Sequence, residues 1–268
     1  MVLTLYHHNS SVCAAKIRVA LAEKGLLWES RLMRLDGDQF DPSYLALNPA
    51  AVVPTLVHDD VVVIESNVIL EYLEDAFPDV PLRPESPADR AAARALMMRL
   101  DGGTDGLHHA ASVLTFGIAY RMRLVEAAGG SDPERLAPLI AAQMNPTSRA
   151  WLEEVVYRGI EAPVVRQCLL RFDRLLADFE TRLCAARWLS GPRFSFTDAA
   201  FAPYMVRLEL LHLGFLWRGR PGVSAWLDRL KARASMGEIV DWYAPENRAA
   251  LHRYGAACAA QMEAMINA

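Results

Sequence analysis

The stretch that decides the fold is "AAVVPTLVHDDVVVIESNVILEYLEDAFP", residues 50–78. "PTLVH" and "VVVIE" are short strand-like runs joined at Asp59-Asp60, the pattern of a hairpin. "SNVILEYLEDAF" then reads as a helix that stops before Pro78. Two points in the stretch carry a choice. Val53-Pro54 is either a trans proline opening an edge strand, or a cis bond that turns the backbone of Val53 outward to pair with an extended peptide. Ser66 either caps a helix beginning at Asn67, or belongs to a helix start that receives a carboxylate, with Glu65 beside it accepting from an ammonium group. In the second reading of each, the segment suits the two charged ends of an α-amino acid head.

Working outward, "VLTLY" reads as a first strand, "SVCAAKIRVALAEKG" as a helix stopped by Gly25, "LWESRLM" as a second strand and "DPSYLALN" as a short polar helical segment. The order β-α-β-α-β-β-α predicts a small mixed four-stranded sheet with helices on its faces, over residues 1–80. "PDVPLRPESP", residues 78–87, has four prolines in ten residues and reads as a stiff linker. Beyond it strand signals vanish, and residues 88–268 are expected to form an all-helical domain. Residues 116–163, with "AAGGSDPERLAP" and "NPTSRAW", read as broken helices and loops.

Composition excludes several classes. Across 268 residues, 53% hydrophobic, no run approaches the roughly 18 apolar residues of a membrane span. "MVLTLYHHNSS" lacks the charged start and long apolar segment of a signal peptide, so a cytoplasmic protein is expected. The net charge of -4 and the scattered arginines leave no footprint for nucleic acid. Cys13, Cys168, Cys184 and Cys258 are too far apart for a disulfide framework or a zinc site. His108-His109 are adjacent, so they point about 100° apart on a helix, and no metal is expected.

"NPAAVVPTL…VVVIESNVILEYLED", the front segment "YHHNSSVCAAKIRVALAEKGL", the proline-rich linker and the helical remainder together resemble the glutathione transferase superfamily. The likeness covers almost the whole chain and is most specific over residues 46–78. It implies a thioredoxin-like first domain followed by an all-α domain. It also implies glutathione as co-substrate: Val53, before a cis Pro54, bonds the cysteinyl part, and Glu65 and Ser66 bind the γ-glutamyl head. Val52 and Ala50-Ala51 depart from the polar or glycine-bearing residues common there.

The thiol end keeps three candidates. The resemblance places Ser11 where many classes carry a catalytic serine, whereas from the residues alone Ser10 or Ser11 is equally a helix cap. Cys13, two residues on, is either a buried thiol or a partner for a mixed disulfide, and Asn9 is a third donor. The resemblance further implies a hydrophobic electrophile as second substrate, a wall for it in "MMRLDGGTDGLHHAASVLTFGIAY", and a homodimer in which Asp101 or Asp105 reaches a partner's glutathione. "FSFTDAAFAPYM" holds Ser195 and Asp198 at the spacing of an N-capping box variant, a structural feature. The long segment holding "GIAYRMRL" and "NPTSRAWLEEVVYRG" is similar to the bacterial branch that includes glutathione-dependent β-etherases. A binding module without turnover is the reading from a different class.

Overall fold

Alternation opens the chain: in β1 (Leu3–His7), Leu3, Leu5 and His7 turn inward while Thr4 and Tyr6 are half-buried. A computed structural model describes residues 2–130, 132–141 and 146–267. Helix α1 (Val12–Glu23) follows β1 and is buried along most of its length. Gly25 ends it at φ 65°, and the Leu26 N–H returns to the Leu21 carbonyl at 2.9 Å, the closure that a left-handed residue after a helix permits. Then come β2 (Glu29–Leu32), the short helix α2 (Pro42–Leu45), β3 (Thr55–His58), β4 (Val61–Ile64) and α3 (Ser66–Ala76).

The strands form one four-stranded sheet in the order β2-β1-β3-β4, with β1 and β2 parallel and the other pairs antiparallel. This is the mixed sheet expected from the β-α-β-α-β-β-α order. Leu5 opposite Leu56 marks its centre, and both are fully buried with Ile17, Leu21, Ile69 and Leu73 of the covering helices. Each such side chain contributes about 1.5–3 kcal/mol of apolar transfer. The β3-β4 hairpin turns at Asp59, whose φ is 51°.

Beyond residue 64 the only sheet-like pairing among the described residues is a single bridge between Trp188 and Gly191. The rest is helical: α4 (Pro87–Met97), α5 (Leu107–Thr115), α6 (Arg121–Ala127), α7 (Pro133–Ala141), α8 (Pro146–Arg158), α9 (Pro163–Ala185), α10 (Phe196–Leu210), α11 (Pro221–Lys231), α12 (Gly237–Val240) and α13 (Pro245–Asn267). The expectation of loops over 116–163 needs correction. A π-helical turn, Phe116–Tyr120, carries α5 straight into α6, and α7 and α8 pack Leu136, Leu152 and Val156 against Phe116, Val125 and Trp151. Apolar spacing there outweighs the local glycine and proline signals. Residues 131 and 142–145 of that stretch lie outside the described residues.

The break at Gly102-Gly103 is present as a 3-10 turn, Gly103–Asp105. A Cβ on Gly106 would lie 2.6 Å from the Gly102 backbone nitrogen, so glycine is required there by close approach. The chain forms two compact units, one of Met1–Met97, Leu183–Val206 and Ala225–Ala244, the other of Met98–Arg182, Arg207–Ser224 and Pro245–Ala268.

Candidate functional site

Strand register builds the site. Tyr6 pairs with Thr55 and Thr55 with Ile64, so the C-terminal end of β1, the start of β3 and the end of β4 share one edge of the sheet. The loop Asn9–Ser11, the Val53-Pro54 bond and Glu65-Ser66 each lie within a few residues of that row. Two strand spacings span about 10 Å, the length of an extended tripeptide. Sequence-distant candidates are thereby brought together by pairing alone.

The Val53-Pro54 bond is cis. Among the described residues no backbone hydrogen bond engages Val53, while the carbonyl of Val52 is held by two side chains. Tyr44 donates its hydroxyl to Val52 O at 2.5 Å, and Asn48 donates an amide N–H to the same oxygen at 2.9 Å. The second Asn48 N–H reaches Thr55 Oγ1 at 3.0 Å, and Thr55 and Tyr44 Oη are 3.0 Å apart. Because the tyrosine proton goes to Val52, the threonine hydroxyl donates to Tyr44 and every polar atom has a partner. Burial, the largest influence, raises the Tyr44 pKa and keeps the phenol a donor. Tyr44 and Asn48 were not foreseen; "YLALN" has the spacing that puts them one helical turn apart, but nothing local says what they hold.

At the next strand end the helix begins one residue earlier than the capping reading places it. Ser66 is the first residue of α3, and Glu65 occupies the cap position with φ 66° and ψ 110°, a conformation rare for a residue with a Cβ. Ser66 is therefore not the cap, and no side chain caps the helix. The first main-chain return is from the Ile69 N–H to Glu65 O, at 2.8 Å, which leaves the earlier N–H groups pointing out of the helix end. Ser66 is buried and Glu65 exposed beside these donors. Such an end attracts a carboxylate, and Glu65 supplies an acceptor for a neighbouring ammonium group.

Ser11 caps α1: its Oγ accepts from the Ala14 N–H at 3.2 Å. Capping uses a lone pair and leaves the hydroxyl proton to donate, so cap and thiolate donor are compatible roles. Ser10 instead bonds His8 Nδ1, at 3.2 Å from its hydroxyl. Cys13 is half-buried, 3.8 Å from the Tyr204 hydroxyl. Asn9 buries its Oδ1 without a hydrogen-bond partner.

The remaining expected residues lie in the second unit. Asp105 is held by Arg171 at 3.0 Å, and His109 packs edge-on against Trp151 with ring centroids 5.8 Å apart. Among the described residues no group of three His, Cys, Asp or Glu side chains is placed to hold a metal, and no helix is long and apolar enough to cross a membrane. Asp198 accepts from Ser195, through both N–H and hydroxyl at 2.9 Å, from Leu189 N–H at 3.0 Å and from the Trp226 indole at 2.9 Å.

Comparison with known proteins agrees with this geometry. Residues 10–76 match the family described as Glutathione S-transferase, N-terminal domain, and residues 149–229 match Glutathione S-transferase, C-terminal domain. Glutathione S-transferase GstB of Escherichia coli strain K12 is 28% identical over 241 residues, covering 89% of this chain and 97% of that one. The stringent starvation protein A homolog of Haemophilus influenzae is 26% identical over 246 residues, 92% of this chain and 93% of its own. The crystal structure of beta-etherase LigF from Sphingobium sp. strain SYK-6 superimposes with a TM-score of 0.70 at 27% identity, covering 91% of this chain and 100% of that one. With both of its characteristic domains matched and its sheet edge assembled as described, this chain belongs to the glutathione S-transferase family.

Proposed function

We propose that the protein is a glutathione transferase acting on a small, hydrophobic, aromatic electrophile. The observation that carries this is the shared sheet edge, with an uncapped helix end beside Glu65, an unengaged Val53 backbone at a cis proline, and a helix N-terminus bearing Ser11. In this reading the γ-glutamyl carboxylate sits on the first N–H groups of α3 with Ser66, its ammonium group bonds Glu65, and Val53 pairs with the cysteinyl main chain. The thiol then lies at the start of α1. Ser11 donates to the thiolate, and the helix end favours the charged form. The sulfur attacks the electrophilic carbon; a C–S bond forms, the bond to the leaving group breaks, and that group departs with the electron pair. Proximity and thiolate stabilisation supply the rate, with no metal in the scheme. Four unpaired cysteines suit a reducing cytoplasm.

The test is turnover of an activated aryl halide across pH. Ser11→Ala is expected to move the rise of the pH–rate profile to higher pH while changing glutathione affinity only mildly, each unit corresponding to about 1.4 kcal/mol. Cys13→Ala is expected to leave the profile in place. The reverse pattern would transfer the role to Cys13 and to thiol exchange; no effect of either would transfer it to Asn9.

The likeness to the beta-etherase supports a second reading, displacement of an aryloxide from a β-aryl ether by the same thiolate. Release of the free phenol with the glutathione adduct left behind would put this reading first. Retention on immobilised glutathione without turnover of either substrate would favour a binding module, the reading to which the stringent starvation protein homolog lends weight.

A further inference from the structure

Helix α1 carries two cations, Lys16 and Arg18, that are both fully buried. Removing an ammonium group from water costs several kcal/mol, so such a lysine survives only where specific partners hold it. Lys16 Nζ donates to Asn67 Oδ1 at 2.6 Å, a short, charge-assisted bond. Asn67 is the second residue of α3, next to Ser66. Its other amide atom, Nδ2, donates to the Met97 carbonyl at 3.2 Å. Lysine only donates and a carbonyl only accepts, so the two partners fix which way the amide points. The first turn of α3 is thereby tied to α1 from below, at the end whose N–H groups no side chain caps.

We propose that Lys16, acting through Asn67, is a positioning residue for the α-carboxylate subsite at the start of α3. It rests on the glutathione reading given above and adds to it a residue that touches no ligand. The clamp sets the direction of the first-turn N–H groups and of Ser66, and it places a buried positive charge behind them. Loss of the clamp therefore weakens recognition of one group of the ligand, the α-carboxylate.

Calorimetric titration with two S-methyl peptides tests this: glutathione, and γ-aminobutyryl-cysteinylglycine, which is glutathione without its α-carboxylate. Lys16→Met is expected to weaken S-methylglutathione at least tenfold and to leave the truncated peptide within about twofold, equivalent to at least about 1.4 kcal/mol at the head alone. Lys16→Arg, which keeps the charge and a donor, is expected to recover most of the loss. Should Lys16→Met fail to fold, Asn67→Ala tests the same clamp and is expected to show the same selective loss. Equal losses for both peptides, or no loss, would overturn the role of Lys16 while leaving the glutathione reading standing. Failure of the wild type to bind S-methylglutathione would overturn both together.

Discussion

A single histidine gives the first unit its acid sensitivity. His7 is fully buried, with Nε2 2.7 Å from Ser30 Oγ and Nδ1 3.2 Å from Arg18. Trp28 and Trp242 meet its ring edge-on, at centroid distances of 5.3 and 4.7 Å. Burial foremost, then the charges of Arg18 and His8, lower its pKa to about 4 from 6.5. The unfolded chain therefore binds a proton near pH 6.5 that the native chain refuses until about pH 4. Stability is complete above the unfolded value and falls as the pH drops through this window, by up to about 3 kcal/mol. Urea unfolding at pH 7, 5.5 and 4.5 is expected to show that decline, and His7→Gln is expected to flatten it. An equally steep decline in the variant would assign the effect to other groups.

At the scale of elements, buried carboxylates fasten segments that secondary structure alone leaves loose. Lys24, just past α1, meets Glu74 of α3 at 2.7 Å, with both side chains about 1% exposed. The lysine also donates to the carbonyls of Phe77 and Val80 at 2.9 Å. The carboxylate in turn accepts from the N–H groups of Leu82 and Arg83 at 3.0 and 2.9 Å. The proline-rich linker is thus held by side chains as well as stiffened by its own rings. Removing one partner strands a buried charge, so Glu74→Ala is expected to cost about 3–5 kcal/mol in chemical denaturation. The pair replacement Lys24→Met with Glu74→Leu is expected to cost distinctly less, since no unpaired charge remains. Equal costs would show that packing, not charge pairing, holds the linker. Asp198 does the same for the entry to α10: its four bonds favour the carboxylate, but complete burial outweighs them and raises its pKa.

For the whole molecule, one feature of the first unit bears on assembly. Edge strand β4 exposes Val61 and Val62, and Val52 and Val68, in neighbouring segments, are about half exposed. Open apolar edges are usually covered or charged. A homodimer through this unit is the expected state, and light scattering at micromolar concentration checks it. Val61→Lys is expected to shift the equilibrium toward monomer; a wild-type monomer would remove the expectation.

Much of this was legible in the residues and some was not. Alternation over residues 3–7, the hairpin run and Gly25 are local signals, because strand pleat, turn and left-handed closure each depend on a few adjacent residues. Val53-Pro54 and Glu65-Ser66 were readable as candidates for the same reason, since each is a motif of two residues. Their union into one edge came from strand register, Tyr6 to Thr55 to Ile64, which joins residues far apart in the chain. The start of α3 at Ser66 was decided by Glu65, whose left-handed backbone the hairpin exit imposes against its own preference. Tyr44 with Asn48, Lys16 with Asn67 and Lys24 with Glu74 stayed hidden. A tyrosine, a lysine or a glutamate on an amphipathic helix looks the same in sequence whether it faces water or a buried partner. Sequence by itself determined the elements and their order; only tertiary structure decided which polar side chains are buried, because burial and partner come from segments packed together in space.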